Sequence, residues 1–222
     1  MRFSDDMGRR FYINNGKPYI SVTTILKSLQ PHKLQNWLRK TDAKKIEGVS
    51  SKAANAGTEI HQEIEKKLSG QVYVLPDFIN KWLDENIKET VLTEPVLCHE
   101  KYKYAGSADL IANKRIFDWK TGRGSTQHGH QMAAYYLAAL EMGIEVDGFS
   151  TVYIDMKKEE VKEFAFTHLD FCIDAFLHTY QAYKALNFYL LQKAIEVDGK
   201  EVQIMSLDEV KLDVFRDYWG LK

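Results

Sequence analysis

The chain has 222 residues, of which 45% are hydrophobic and 27% charged, and its formal net charge is −1. This composition is typical of a globular protein with a sizeable core, and no apolar run of about eighteen residues predicts a membrane-spanning helix. The polar first residues lack the apolar region of a signal peptide, and Cys98 and Cys172 form no CxxC pair, so we predict a cytoplasmic protein without an iron–sulfur cluster.

Positive charge is concentrated near the start of the chain. Residues 1–45 contain ten Lys or Arg and three Asp, a surplus of seven, so the remaining residues carry a net charge of −8. A basic leading segment is compatible with a surface that follows a phosphate backbone. An ordinary solvated face rich in lysine explains the same pattern, and both interpretations stay open.

The first elements are predicted to be a hairpin and two helices. In 11–22, alternating aromatic and aliphatic residues flank an Asn-Asn-Gly turn, which is typical of a β-hairpin. Ser21 or Thr23 is available to cap a short helix that ends before Pro31. Residues 33–48 have the pattern of a basic amphipathic helix.

Two more helices are predicted before the middle of the chain. In 50–70, isoleucine or leucine recurs every fourth position as a stripe to be buried, and Gly70 ends the helix. The second helix covers 76–90 and has Pro76 near its first turn, where proline is tolerated.

The middle of the chain changes to the short period of strands. Runs rich in β-branched and aromatic residues, separated by polar turns, predict three consecutive strands at 94–100, 104–112 and 115–120. The elements predicted after them are a helix at 127–143, strands at 148–155 and 161–167, a helix at about 170–192, a hairpin around 198–199 and a short C-terminal helix.

This order of elements predicts a mixed sheet flanked by helices, an α/β protein. Because no internal repeat or low-complexity linker occurs, we expect one domain. Within it, 1–50 is a basic N-terminal elaboration with a hairpin and helices, 51–192 is the core, and 193–222 is a C-terminal hairpin and helix.

Asp109 and Asp118 stand on runs predicted to be neighbouring strands, so a hairpin can bring their carboxylates together. Two such carboxylates repel each other unless a cation lies between them, and oxygen ligands with open water positions suit Mg²⁺ or Mn²⁺. Lys120 follows on the same face as Asp118, while Trp119 points into the packing and offers its carbonyl oxygen. Phosphodiester hydrolysis needs such a metal and such a cation. An aspartate followed by lysine at a strand end is also common as a solvated turn.

A loop of small residues, 121–125, follows the lysine. Backbone N–H groups from Thr121 onwards and the side chain of Arg123 can approach a phosphate there. The alternative is a plain turn between a strand and a helix.

Five motifs occur in a fixed order along the chain. They are Gly57-x-x-x-His61, Glu94, Tyr104-x-Gly106-x-x-Asp109, Ile116-x-Asp118-Trp119-Lys120-Thr121-Gly122 and Gln131-x-x-x-Tyr135. Together they resemble the RecB-like, Cas4-like branch of the PD-(D/E)xK nuclease superfamily, particularly phage-type exonucleases and the mitochondrial genome maintenance exonuclease. The resemblance covers about 19–136.

The resemblance implies a restriction-endonuclease-like, three-layer αβα core with a metal at one edge of the sheet. It implies that His61, Asp109 and Asp118 are metal ligands, and that Asp109, Asp118 and Lys120 form the catalytic set. Gln131 and Tyr135, one helical turn apart, occupy positions that contact the DNA strand. The four cysteines that hold an iron–sulfur cluster in some relatives are absent from the sequence.

Two carboxylates form a second tier of candidates. Glu65 lies one turn after His61 and could accept its ring N–H or contact a metal through water, although a plain surface carboxylate fits equally. Glu94 is included through the resemblance. His128 and His130 diverge by about 200° on a helix and are left out of the metal site.

The leading hypothesis is a Mg²⁺- or Mn²⁺-dependent DNA exonuclease that acts on single-stranded DNA or DNA ends in recombination, repair or phage DNA processing. One alternative is a structure-specific endonuclease or resolvase with the same fold. Another is a nucleic-acid-binding assembly module without catalysis, although Asp109, Asp118 and Lys120 are all present. A phosphohydrolase with an aspartyl nucleophile would need a D-x-D arrangement that this site lacks.

Overall fold

A computed structural model describes residues 2–4, 9–27, 57–122, 124–187, 194–197 and 200–203. The predicted helix at 33–48, the predicted C-terminal helix and Arg123 lie outside these residues. Among the described residues, no helix is long and apolar enough to cross a membrane.

The described strands lie mainly in the middle of the chain. In chain order they are β1 (Arg2–Ser4), β2 (Arg10–Asn14), β3 (Lys17–Ser21), β4 (Thr90–Thr93), β5 (Val96–His99), β6 (Tyr104–Ser107), β7 (Leu110–Ala112), β8 (Arg115–Lys120), β9 (Gly148–Asp155), β10 (Glu160–Ala165), β11 (Ala194–Val197) and β12 (Lys200–Gln203). The helical segments are α1 (Val22–Lys27), α2 (57–68), α3 (Asp77–Asn86), α4 (Thr126–Glu141) and α5 (Leu169–Leu186).

The strands form two mixed five-stranded sheets and a separate hairpin. The first sheet has the order β1-β2-β3-β6-β5, in which only β3 and β6 run parallel. The second has the order β10-β9-β8-β7-β4, in which only β8 and β9 run parallel. β11 and β12 pair with each other, as predicted around 198–199.

Helices cover both faces of the second sheet. On one face, α4 and α5 share a core with both sheets that includes Ile116, Phe149 and Phe176. On the other face, α2 and α3 pack Ile64 and Leu83 against the strands in a second core. The expected α/β class and the three-layer αβα arrangement are therefore confirmed, with two mixed sheets where the sequence predicted one. The N-terminal hairpin also contributes to the first core.

Local signals place the ends of several elements. The Ser21 hydroxyl accepts the N–H of Thr24 at 3.0 Å, so Ser21 is the cap of α1. After α2, the Gly70 and Gln71 N–H groups donate to the carbonyl oxygens of Lys67 and Lys66, and Gly70 has a φ of 71°. This pattern is a Schellman motif, in which glycine adopts the left-handed conformation at low cost.

Two predicted boundaries were wrong near the central hairpin, whose arms are β4 with β5 and β6 with β7. The helix predicted over 76–90 ends at Asn86, and Thr90–Thr93 is a strand instead. The strand predicted over 104–112 is divided into β6 and β7, with Asp109 between them. Both differences arise because one hairpin takes part in both sheets.

Candidate active site

The candidate site lies where that hairpin passes from one sheet into the other. β4 and β5 form one arm, and β6 and β7 form the other. At the bend Glu94 has a φ of 48°, and its N–H donates to the Asp109 carbonyl oxygen at 3.0 Å. The Ala108 N–H donates to the Pro95 carbonyl oxygen at 3.2 Å. Pairing therefore continues through the bend and holds Glu94 beside Asp109.

A backbone contact fixes the Asp109 carboxylate. The Trp119 N–H donates to Asp109 Oδ2 at 2.6 Å, which holds this carboxylate against β8. The Trp119 ring lies on the other face of β8, edge-on to Trp82 with 6.0 Å between ring centroids. The side chains therefore alternate along β8, and Asp118 and Lys120 share the face opposite Trp119.

Asp118 is buried within a ring of polar side chains. It is 3% exposed, and the Lys120 ammonium contacts its Oδ2. The Gln131 side-chain amide donates to Asp118 Oδ1 at 3.3 Å and to the Tyr135 hydroxyl at 2.9 Å. The first turns of α4 therefore place the Gln131 amide on the β8 carboxylate, with the Tyr135 phenol bonded to that amide.

A glycine on β6 makes room for Tyr135. A Cβ added to Gly106 would lie 2.3 Å from Tyr135 Cε1, much closer than two carbon atoms can approach. The ring of Tyr135 therefore packs against the backbone of β6. This close approach explains why glycine stands between Tyr104 and Asp109.

His61 reaches the same carboxylates from α2. Its Nδ1 lies 3.4 Å from Asp109 Oδ1. Burial lowers the pKa of His61, but the hydrogen bond and charge of Asp109 outweigh burial, and the net direction is upward. Glu65, one turn further along α2, lines the same pocket.

The acidic groups repel one another in this buried space. Burial first, and then the charge of Asp109, raise the pKa of Asp118, while Lys120 opposes this. Burial and the charge of Asp109 raise the pKa of Glu94 to about 6, although the Ser107 hydroxyl donates to Glu94 Oε2 at 3.2 Å. Additional positive charge in the pocket would therefore stabilise the ionised carboxylates.

The donor chemistry fits a hard divalent cation. Glu94, Asp109 and Asp118 supply carboxylate oxygens, the ligands that Mg²⁺ and Mn²⁺ prefer, and His61 supplies a nitrogen that Mn²⁺ accepts. Among the described residues, no three His, Cys, Asp or Glu side chains have already converged into a ligand cluster. The contacts of Lys120 with Asp118 and of His61 with Asp109 occupy the carboxylates instead.

These groups line a pocket of about 500 Å³. Arg2 and Arg10 also line it, together with Tyr12. The β1–β2 register pairs Arg2 with Tyr12 and Ser4 with Arg10, which puts both arginines on one face of the hairpin. Sequence reasoning missed these two residues, and their only signal was the surplus of positive charge in 1–45.

Thr121, which follows Lys120, does not line the pocket: its Oγ1 would lie 3.2 Å from a Cβ added to Gly57 at the start of the described part of α2. His128 is also directed elsewhere, with its Nδ1 2.9 Å from the Tyr153 hydroxyl. Of the predicted DNA-contacting residues, Gln131 and Tyr135 line the pocket, and Gln131 contacts the Asp118 carboxylate. The role of Arg123 stays a prediction.

No protein-family model and no curated protein matches the chain. Among solved structures, the chain is similar to the alkaline exonuclease LHK-Exo from Laribacter hongkongensis, with 11% identity, a TM-score of 0.36, and coverage of 78% of this chain and 94% of that chain. LHK-Exo in complex with dAMP matches at 10% identity and a TM-score of 0.30 with the same coverage. At these values the functional interpretation rests on the geometry of the site.

Proposed function

We propose that this protein is a Mg²⁺- or Mn²⁺-dependent DNA exonuclease of the RecB-like branch of the PD-(D/E)xK nucleases. The observation that carries the proposal is the convergence of Asp109, Asp118, Lys120 and Gln131 in one pocket. Three separate elements bring these side chains together, and Arg2 and Arg10 line the same pocket. Single-stranded DNA or DNA ends are the substrate, and recombination, repair or phage DNA processing is the setting.

In this proposal Asp109 and Asp118 hold the divalent ion, with His61 and the Trp119 carbonyl as further ligands and Glu94 nearby. The bound ion supplies polarisation of the phosphate and a lowered pKa for an attacking water. The Trp119 N–H keeps one oxygen of Asp109 in a fixed position, which preorganises the carboxylate at no cost during the reaction.

Lys120 has a separate task. Its ammonium contacts Asp118 Oδ2, and from this position it orients the attacking water or stabilises the negative charge that develops on the phosphate. The Gln131 amide donates to Asp118 Oδ1 and to the Tyr135 hydroxyl, and both side chains present polar groups to the DNA strand. Arg2 and Arg10, which line the same pocket, attract phosphates.

The test is hydrolysis of end-labelled single-stranded DNA with Mg²⁺ or Mn²⁺. The parent protein should shorten the DNA, and Asp118→Ala should not, because the substitution removes a ligand together with its charge. Asp155→Asn is the matched control, since Asp155 also ends a strand of the same sheet but does not line the pocket. Equal hydrolysis by the parent and Asp118→Ala would contradict the proposal.

Circular single-stranded DNA separates exonuclease from endonuclease activity. An exonuclease needs a free end, so the circle should survive while a linear strand of the same sequence is degraded. Cleavage of the circle at a similar rate would favour an endonuclease on the same metal site.

A further inference from the structure

A second cavity, of about 510 Å³, lies beside the candidate active site and has a different character. Its walls include the rings of Tyr153, Phe164, Phe166 and Phe171, together with His130 and His168. We call this cavity the aromatic groove. Phe164 is 55% exposed and Phe171 is 70% exposed, so two large rings stand open to solvent.

The strand register connects the aromatic groove to the catalytic residues. Asp118 pairs with Thr151 and Thr151 pairs with Phe164, so these three residues form one row across β8, β9 and β10. Lys120 likewise pairs with Tyr153 on the adjacent strand. Paired residues project from the same face of a sheet, and neighbouring strands are about 4.8 Å apart. Phe164 therefore lies about 10 Å from Asp118 along the sheet.

The groove is close to the pocket without being part of it. The first turn of α4 lies between them, and the His128 ring contacts the Tyr153 hydroxyl at 2.9 Å. Tyr153 and Gly124 form the groove wall nearest to Lys120. Tyr153 therefore connects the strand position beside Lys120 to the aromatic groove.

The residues that line the aromatic groove indicate which kind of ligand it binds. None of the described lining residues is Asp or Glu, so the groove adds no repulsion against a phosphate backbone. Exposed rings provide flat apolar surfaces, and every nucleobase has a π-face that stacks on such surfaces regardless of sequence. A paired base has both of its faces covered by its neighbours, whereas a single strand can present its bases to the rings.

We propose that the aromatic groove binds the unpaired bases of single-stranded DNA next to the nucleotide held in the active site. This inference rests on the proposed nuclease function and gives that function a substrate preference. The rings of Phe164 and Phe171 are the principal stacking surfaces. Tyr153, which pairs with Lys120, links the groove to the active site.

The test measures binding in EDTA, where hydrolysis does not interfere. The probes are fluorescently labelled oligothymidine and a strand of equal length whose bases are replaced by abasic sites, both followed by fluorescence anisotropy. Phe164→Ala and Phe171→Ala should each weaken oligothymidine binding about five- to tenfold, because each removes a stacking surface. Phe171→Trp should retain the affinity.

The abasic strand identifies the cause of any loss. The parent should bind the abasic strand more weakly than oligothymidine. A variant that carries both Phe164→Ala and Phe171→Ala should lose most of this difference in affinity between the two probes. Tyr73→Ala is the control, because Tyr73 is an exposed aromatic residue that does not line the groove, and it should leave both affinities unchanged.

Three results would overturn the proposal. One is that the doubly substituted protein binds oligothymidine as tightly as the parent does. Another is an equal loss of affinity for both probes. The third is a lowered melting temperature of the Phe variants with unchanged DNA affinity, which would show that another apolar segment covers the groove. Failure of the parent to hydrolyse DNA, with the difference between probes intact, would instead contradict only the proposed catalysis.

Discussion

The chemistry of single residues depends on how the buried carboxylates are neutralised. Asp118 would be costly as an isolated buried anion, and the structure places the Lys120 ammonium and the Gln131 amide on its two oxygens. Asp109 is bonded by the Trp119 N–H and faces His61. The sequence alone predicted the meeting of Asp109, Asp118 and Lys120, because alternation along a strand and adjacency in a hairpin follow from local spacing.

Other residues of the pocket could not be predicted from local sequence spacing. Arg2 and Arg10 line the pocket more than ninety residues before Asp109, and nothing in their local sequence indicates which surface the hairpin faces. Their placement depends on the parallel pairing of β3 with β6. The resemblance to known nucleases indicated His61, Gln131 and Tyr135, whereas periodicity indicated only that they lie on helices.

Lys120→Ala separates catalysis from binding. Loss of the ammonium should slow single-turnover hydrolysis of single-stranded DNA about 100-fold or more, since one group that stabilises developing charge typically contributes that much. The affinity for DNA in EDTA should change little. Rapid-quench measurements of hydrolysis and fluorescence anisotropy measure the two quantities.

Lys81→Ala is the control for this substitution, because Lys81 is on the exposed side of α3, away from the pocket. It should leave both quantities unchanged. A hydrolysis rate for Lys120→Ala equal to that of the parent would contradict the role assigned to its ammonium.

At the level of elements, the central hairpin determines where the site forms. The sequence predicted β8 and β9 well, because their apolar runs are continuous and end in clear turns. It missed the start of β4, where Thr90–Thr93 continues a helical stretch without a Gly or Pro to separate the two. It also missed the division of β6 from β7, since a bend shared by two sheets is a tertiary feature that no local propensity encodes.

Gly106→Ala tests the contact between β6 and α4. The new Cβ would overlap the Tyr135 ring, and the buried ring must move away from Gln131. We expect the free energy of unfolding to fall by about 1–3 kcal/mol, the usual cost of overpacking a core. Urea denaturation provides the measurement.

Gly122→Ala is a matched control for stability. Gly122 has no heavy atom within 4 Å of an added Cβ and does not have a positive φ, so the same change should have little effect there. Equal stability of Gly106→Ala and the parent would show that Tyr135 does not pack against β6 as described.

At the level of the whole molecule, the carboxylates of the site repel one another when ionised, and a cation can reduce this repulsion. The pKa of Glu94 is raised to about 6 from its ordinary value near 4.5. Between these pH values the folded protein retains a proton that the unfolded chain has released. The contribution of Glu94 to the free energy of unfolding is therefore greatest below pH 4.5 and is lost as the pH rises through about 6.

Glu94→Gln isolates this contribution from those of other titrating groups. Without metal, the variant should gain about 1 kcal/mol of stability relative to the parent between pH 4.5 and pH 7, after allowance for solvent screening. Thermal unfolding in EDTA across this range gives the difference between the two proteins. A difference that does not change with pH would contradict the raised pKa.

Added Mg²⁺ should reverse this dependence of stability on pH. Because it binds ionised carboxylates, it should raise the melting temperature of the parent more at pH 7 than at pH 5, and should raise that of Glu94→Gln less. An equal shift in the two proteins at both pH values would mean that the ion binds elsewhere.

Direct titration with Mn²⁺, followed by electron paramagnetic resonance of the free ion, tests most directly the proposal that Asp109 and Asp118 share a metal ion. The parent and Asp155→Asn should bind Mn²⁺ with equal affinity, whereas Asp109→Asn and Asp118→Asn should each weaken binding at least about tenfold, because each removes a charged ligand. Equal Mn²⁺ affinity in all four proteins would contradict the account, since the two aspartates would then not hold a common ion.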